Sequence, residues 1–109
     1  MAHFLSPPFK LNNMPTASAI FNDEVIAESD DTVLVEGHHY FPVNAVRKEF
    51  LRESGSKSTC PWKGRASYYH IEANGEVAHD GAWYYPTPST AAAMVKDRIA
   101  FGSDITIKD

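Results

Sequence analysis

The sequence is poor in cysteine, in basic residues and in long apolar runs, and each shortage removes a class of explanation. Cys60 is the only cysteine in 109 residues. No disulfide can form within the chain, and a four-cysteine zinc site is excluded. A chain without disulfides suits a reducing compartment, so the cytoplasm is the expected location. Ten lysines and arginines stand against fourteen acidic residues, a formal net charge of -4. Binding driven by phosphate neutralisation needs a basic face, so this balance argues against a nucleic-acid partner. The GxxxxGK[ST] spacing of a phosphate-binding loop is absent. No apolar run approaches the roughly 20 residues that cross a bilayer. The opening MAHFLSPPFKLNN has neither a basic n-region nor an apolar h-region, so neither a membrane partner nor a secretory leader is expected.

What remains is ordinary soluble composition, 43 % apolar and 22 % charged. A chain of this length buries roughly 60–68 % of its unfolded surface, enough for one core without metal or disulfide. Three of the seven prolines, Pro7, Pro8 and Pro15, fall in the first fifteen residues. Residues 1–15 therefore read as an irregular N-terminal arm, and 16–109 as a single β-rich domain. ASAIFNDEVIAES reads as a hairpin about Asn22-Asp23. DTVLVEG is a third strand, with Val33 and Val35 on one face and Leu34 and Glu36 on the other. FPVNAVRKEFLRES offers a short helix from Val43, with Val46 and Phe50 on the same face.

RASYYHIEA and EVAHDGAWYYP form a hairpin about Asn74-Gly75, the most specific turn signal in the chain. STAAAMVKDRI reads as a second short helix with Ser89 as N-cap. RIAFG and DITIKD read as a last hairpin about Gly102-Ser103. Six to eight short strands and two short helices predict a mainly β (α+β) domain.

Chemistry concentrates in TCPWKGRASYYH, residues 59–70. Cys60 has Lys63 three residues away, and a nearby cation turns a thiol into a better nucleophile. In CPWKG the proline and glycine shape a bend that can present the Lys63 ammonium to a carboxylate, phosphate or enolate. Symmetric pairing about Asn74-Gly75 puts Tyr68 and Tyr69 near the level of residues 80 and 81. It also carries Trp83 to Tyr85 next to the CPWKG bend. That gathers Trp62, Tyr68, Trp83 and Tyr85 at one end of a sheet, a composition suited to a half-polar pocket. Glu36, at the end of an apolar strand, can have its pKa raised at an aromatic rim and serve as a general acid or base. His38 and His39 are neighbours, so on a strand they face opposite sides and cannot hold one ion as a pair. Neither a metal nor a cofactor is expected.

Three blocks, IAESDDTVLVEGHHYFP, TCPWKGRASYYH and GAWYYPTPSTAAAMVKDRIAF, resemble the family labelled domain of unknown function 427, which also carries a nucleotidyltransferase label. The resemblance runs from Ala17 to Phe101. It implies a β-tent-like fold, two small antiparallel sheets meeting over a ligand groove. It also implies that the groove is lined by Glu36, Tyr40, Cys60, Trp62, Lys63, Tyr68, Trp83 and Tyr85. Relatives of that fold often hold zinc through paired cysteines, which one cysteine rules out here. The residues themselves carry no nucleotidyltransferase signature.

The expected function is a pocket for a small organic ligand. As an enzyme it would work by cofactor-free acid–base catalysis, of isomerase, cyclase, dehydratase or hydrolase type. Glu36 would move the proton, Lys63 would stabilise negative charge, Tyr68 would orient, and Cys60 is a candidate nucleophile. Tyr40, Trp62, Trp83 and Tyr85 would bind the ligand. The alternative is a non-catalytic metabolite- or peptide-binding module. An aromatic-rich surface would equally serve a homodimer contact.

Overall fold

The computed structural model describes residues 16–109; the arm expected over residues 1–15 lies outside the described residues. The strands are β1 (Ala17–Phe21), β2 (Glu24–Ser29), β3 (Val33–Val35), β4 (His38–Pro42), β5 (Leu51–Cys60), β6 (Gly64–Ala73), β7 (Glu76–Tyr84), β8 (Arg98–Phe101) and β9 (Thr106–Lys108). They form two antiparallel sheets, one ordered β2-β1-β9 and one ordered β3-β4-β8-β7-β6-β5.

Three hairpins close through pairs of left-handed residues, the backbone that matches the twist of paired strands. Asn22 (φ 48°) and Asp23 (φ 71°) join β1 to β2, and Asn74 (51°) and Gly75 (83°) join β6 to β7, both as the sequence predicts. The third turn, Glu36 (53°) and Gly37 (82°), joins β3 to β4. Glu36 is thus a turn residue rather than the last residue of a strand. The first two turns also clasp each other across the sheets. The Asn22 side-chain amide donates to the Ala73 carbonyl at 2.9 Å, and that of Asn74 donates to the Asn22 carbonyl at 2.9 Å.

Neither expected helix forms. FPVNAVRKEFLRES ends β4, makes 3-10 turns at Val43–Ala45 and Lys48–Phe50, and begins β5. The helical spacing is present, but Val46 bridges to Ala27 of β2 and the Arg47 amide donates to the Ile26 carbonyl at 2.8 Å. Pairing with β2 takes the backbone group that a helix would need, and tertiary context overrides propensity. STAAAMVKDRI makes only 3-10 turns over Thr90–Val95, broken at Ala92. Ser89 holds the N-cap position, its carbonyl accepting from the Ala92 amide at 3.0 Å, but its side chain makes no cap bond. Its hydroxyl donates to the Trp62 carbonyl at 2.6 Å and its amide to the Lys63 carbonyl at 3.0 Å. The expected last hairpin is also absent: β8 runs between β4 and β7, whereas β9 crosses to pair with β1.

The centre of the six-stranded sheet is buried on both faces, and alternation along its strands fills two cores. Phe41, Ile71, Ala82, Ile99 and Phe101 meet Ala19, Ile26 and Ile105 from the side of the three-stranded sheet. Tyr40, Ala66, Tyr85 and Ala100 form a second core with Ala92 and Val95 of the 3-10 segment. Two-sided burial explains why GAWYY and RIAF read as near-continuous apolar runs.

Between β6 and β7 the register slips: Ile71 pairs with Ala78, but Tyr69 pairs with Ala82. His79, Asp80 and Gly81 bulge out opposite His70. Gly81 is required there by space, because a Cβ would lie 2.9 Å from the Ala78 Cβ and 3.0 Å from its carbonyl oxygen. Gly81→Ala is expected to cost about 1–3 kcal/mol, the usual range for overpacking a tight site. Urea denaturation would read this, and an unchanged midpoint would mean that the bulge yields freely.

Candidate functional site

The bulge decides which aromatics meet. Without it Tyr68 would face residue 81; with it Tyr68 pairs with Trp83 and Ser67 with Tyr84. The pleat then separates the tyrosine pairs. Tyr69 and Tyr84 stack at 5.0 Å between ring centroids and pack against the inter-sheet core. Tyr68, Trp83 and Tyr85 belong to the second core, on the face turned away from the three-stranded sheet. The motif residues therefore gather on that outer face, opposite the core that the two sheets share.

The CPWKG bend delivers Lys63 to this face. Cys60 pairs with Gly64, leaving Pro61, Trp62 and Lys63 as the connection between β5 and β6. Gly64 takes φ +118°, and a Cβ there would lie 3.3 Å from the Thr87 carbonyl oxygen. Glycine lets the bend pack against 87–89, where Ser89 bonds both the Trp62 and Lys63 carbonyls. Lys63 ends up 4 % exposed.

Its ammonium bonds to Oε1 of Glu36, and the Trp62 indole N–H donates to Oε2 of the same carboxylate at 3.2 Å. The ammonium also lies 4.9 Å from the Trp62 ring centroid and 5.7 Å from that of Tyr85, within cation–π range. Burial would push Lys63 toward neutrality. The bonds to Glu36 and to the Cys60 sulfur outweigh it and raise the pKa well above the ordinary lysine value. Lys63 is therefore a fixed cation, unsuited to act as a base or an amine nucleophile.

For Glu36 the sign of the expected shift is reversed. The hydrogen bonds from Lys63 and then Trp62 lower its pKa, and burial opposes them only weakly on a side chain 56 % exposed. The carboxylate is ionised at neutral pH and has no proton to donate. At Cys60 burial works against ionisation. The backbone N–H groups of Lys63 and Trp62, with the Lys63 ammonium, more than compensate, and the thiol pKa falls.

A cavity of about 300 Å3 opens beside the pair, lined by Glu36, His38, Tyr40, Lys63, Tyr68, Asp80, Trp83 and Tyr85. Six of the eight residues expected from sequence are on its wall. Cys60 and Trp62 are not: they flank Lys63 instead. Tyr40 is buried, and its hydroxyl accepts from the Trp83 indole N–H at 3.2 Å. Burial, then the neighbouring Tyr40, pushes the Tyr85 phenol up to about 12 against the opposing pull of Lys63, so it stays protonated. The Tyr68 hydroxyl is 2.7 Å from that of Ser58.

Two wall residues escaped the sequence reading as site residues. His38 lines the cavity and meets the Trp83 ring edge-on at 4.9 Å. His39 faces away, between the Thr32 hydroxyl (2.8 Å) and the Asp109 carboxylate (2.9 Å). Asp80 is brought in by the bulge, which nothing in an alternating pattern announces. Hydroxyls of Ser54 and Ser56 donate to its two oxygens at 2.5 and 2.7 Å and lower its pKa. Among the described residues no group of histidine, cysteine, aspartate and glutamate is arranged to hold a metal.

The pair sets a pH response. Glu36 has a folded pKa below its ordinary 4.5, so its contribution to stability is present above that pH and is lost as pH falls through the lowered value. Lys63, raised above 10.5, contributes below that pH and loses the contribution only above its raised value. Glu36→Gln should therefore be less stable than wild type at pH 7 and closer to it in acid. Urea midpoints across pH 2–7 test this, and parallel curves for the two proteins would exclude a stabilising pair.

Comparison with curated proteins gives no match. A family model described as a domain of unknown function (DUF427), named NTP_transf_9, matches residues 12–108. That span is wider than Ala17 to Phe101 and takes in β9. The chain belongs to this family.

Proposed function

We propose that the outer-face cavity binds a small, partly aromatic organic molecule. The observation carrying this reading is a buried lysine, ion-paired with Glu36, on the wall of a cavity that Tyr40, Tyr68, Trp83 and Tyr85 also line. Such a mixture of apolar body and few fixed polar groups is the usual make-up of a ligand site. On this reading the fold is β-tent-like in that two sheets lean together, with the ligand taken on the outer face of the larger one.

In a catalytic form the chemistry is cofactor-free acid–base work of the isomerase, cyclase, dehydratase or hydrolase kind. Lys63 stabilises developing negative charge, and the hydroxyls of Tyr40 and Tyr85 orient the substrate. Glu36 serves only as a base, and only when released from Lys63. His38, on the cavity wall against the Trp83 ring, is the better-placed proton carrier. The non-catalytic alternative, a metabolite- or peptide-binding module, is favoured by one fact: Glu36 and Lys63 already neutralise each other.

The test is tryptophan fluorescence and thermal shift against aromatic acids, phenolics, nucleotides and short peptides. A ligand at 100 times its Kd should stabilise the fold by about 2.7 kcal/mol, a rise in Tm of roughly 10 °C or more for a domain of this size. The Trp83→Ala variant should lose the response. If a bound compound is also turned over, His38→Gln should slow turnover by about 10²–10⁴ with binding retained. Binding without turnover at any pH selects the module. Silence across the panel, with a Tm that depends on protein concentration, would make the aromatic cluster an interface.

A further inference from the structure

Resting on the pocket reading above, the Lys63–Glu36 pair says which ligands the cavity takes. The two partners differ sharply in surroundings. Lys63 belongs to the packed wall at 4 % exposure, whereas Glu36 stands on the two-residue turn between β3 and β4 with its side chain 56 % exposed. Separating them is correspondingly unequal. A carboxylate already half in water regains the rest of its hydration cheaply. An ammonium left in a partly desolvated wall without an anion is costly. Lys63 therefore requires an anion, and nothing in its surroundings requires that the anion be Glu36. The Trp62 and Tyr85 rings stand 4.9 and 5.7 Å from the ammonium, and the exposed Trp62 indole N–H that donates to Glu36 is open to the incoming carboxylate or to water.

We propose that Glu36 is a stand-in for the ligand's own carboxylate. A small aromatic carboxylate enters the cavity, takes the Lys63 ammonium, and Glu36 turns out to solvent by side-chain rotation on its turn. The ligand ring lies against Trp83 and Tyr68. One carboxylate replaces another, so the charge of the buried site is unchanged; a phosphate dianion would leave it one negative charge in excess. Asp80 is on the same wall with its two oxygens held by the Ser54 and Ser56 hydroxyls, and Lys63 is the only lysine or arginine lining the cavity, so the ligand carboxylate goes to Lys63.

Benzoate and its neutral counterpart benzamide, titrated at pH 7 with tryptophan fluorescence and Tm as readouts, test the exchange. Benzoate should bind Glu36→Gln about tenfold more tightly than wild type, the size of one charge-assisted hydrogen bond no longer competed for. It should also restore the Tm that the substitution removes. Benzamide should bind both proteins alike, and Lys63→Met should lose the preference for benzoate. Glu36→Asp, which keeps the charge but shortens its reach, should move in the same direction and serves if the glutamine variant is poorly folded. Benzoate binding that is unchanged or weaker in both Glu36 variants, with benzamide still bound, would overturn the exchange and leave the pocket standing. Failure of both compounds on every protein would overturn the pocket reading as well.

Discussion

A strand buried on both faces must find cover on both sides, and β7 and β8 are strands of this kind. One side is covered by the three-stranded sheet. The other is covered by the 3-10 segment Thr90–Val95, which buries Ala92 and Val95, and by the CPWKG bend tied to it through Ser89. Much of the remaining architecture answers to this need. The cover is too short to close the outer face fully, and the cavity is the part it leaves open. Lys63 is buried because it rides on the cover, so its charge is a by-product of how the second core is sealed.

Two irregularities in the large sheet then shape the cavity. β5 slips register between Glu53 and Lys57, β7 bulges at His79–Gly81, and both flank β6. Asp80 holds the two bulges together. Its carboxylate takes hydroxyls from Ser54 and Ser56, and its backbone amide, freed from the ladder, donates to His70 Nδ1 at 2.9 Å. Hydrogen bonds to an ionised acceptor are the stronger kind, which suits a position whose backbone has φ 51°. The slip places Tyr68 beside Trp83, and the aromatic wall depends on it.

Local signals in the sequence were the readable ones. Asn22-Asp23 and Asn74-Gly75 specify their turns through backbone preference alone, so both hairpins were legible. Glu36-Gly37 carries a weaker form of the same signal, so the apolar run before it suggests a strand that ends at Glu36. The helices failed because Val46 and Ser89 are committed to partners distant in sequence, Ala27 for the one and the Trp62-Lys63 bend for the other. The aromatic residues of the site were legible by type, since tyrosine and tryptophan around a Pro-Trp-Lys-Gly bend suit a half-polar wall. The sign of the Glu36 shift was not. It depends on which cation the folded chain sets against it, and Lys63 is 27 residues away in sequence.

The crossing of β9 to pair with β1 has a consequence for how the domain assembles. Ser18 pairs with Lys108 and Ala19 with Ile107, so the small sheet joins segments about ninety residues apart. The hairpins of β1–β2 and β6–β7 are local and can close early, but pairing at this separation carries a large loop-closure cost and slows folding. Until Lys108 is available, β1 keeps an open edge on the side that β9 will cover. A chain emerging in order therefore carries an unpaired edge on β1 over the roughly ninety residues that separate Ser18 from Lys108, and β9 is what finally protects it.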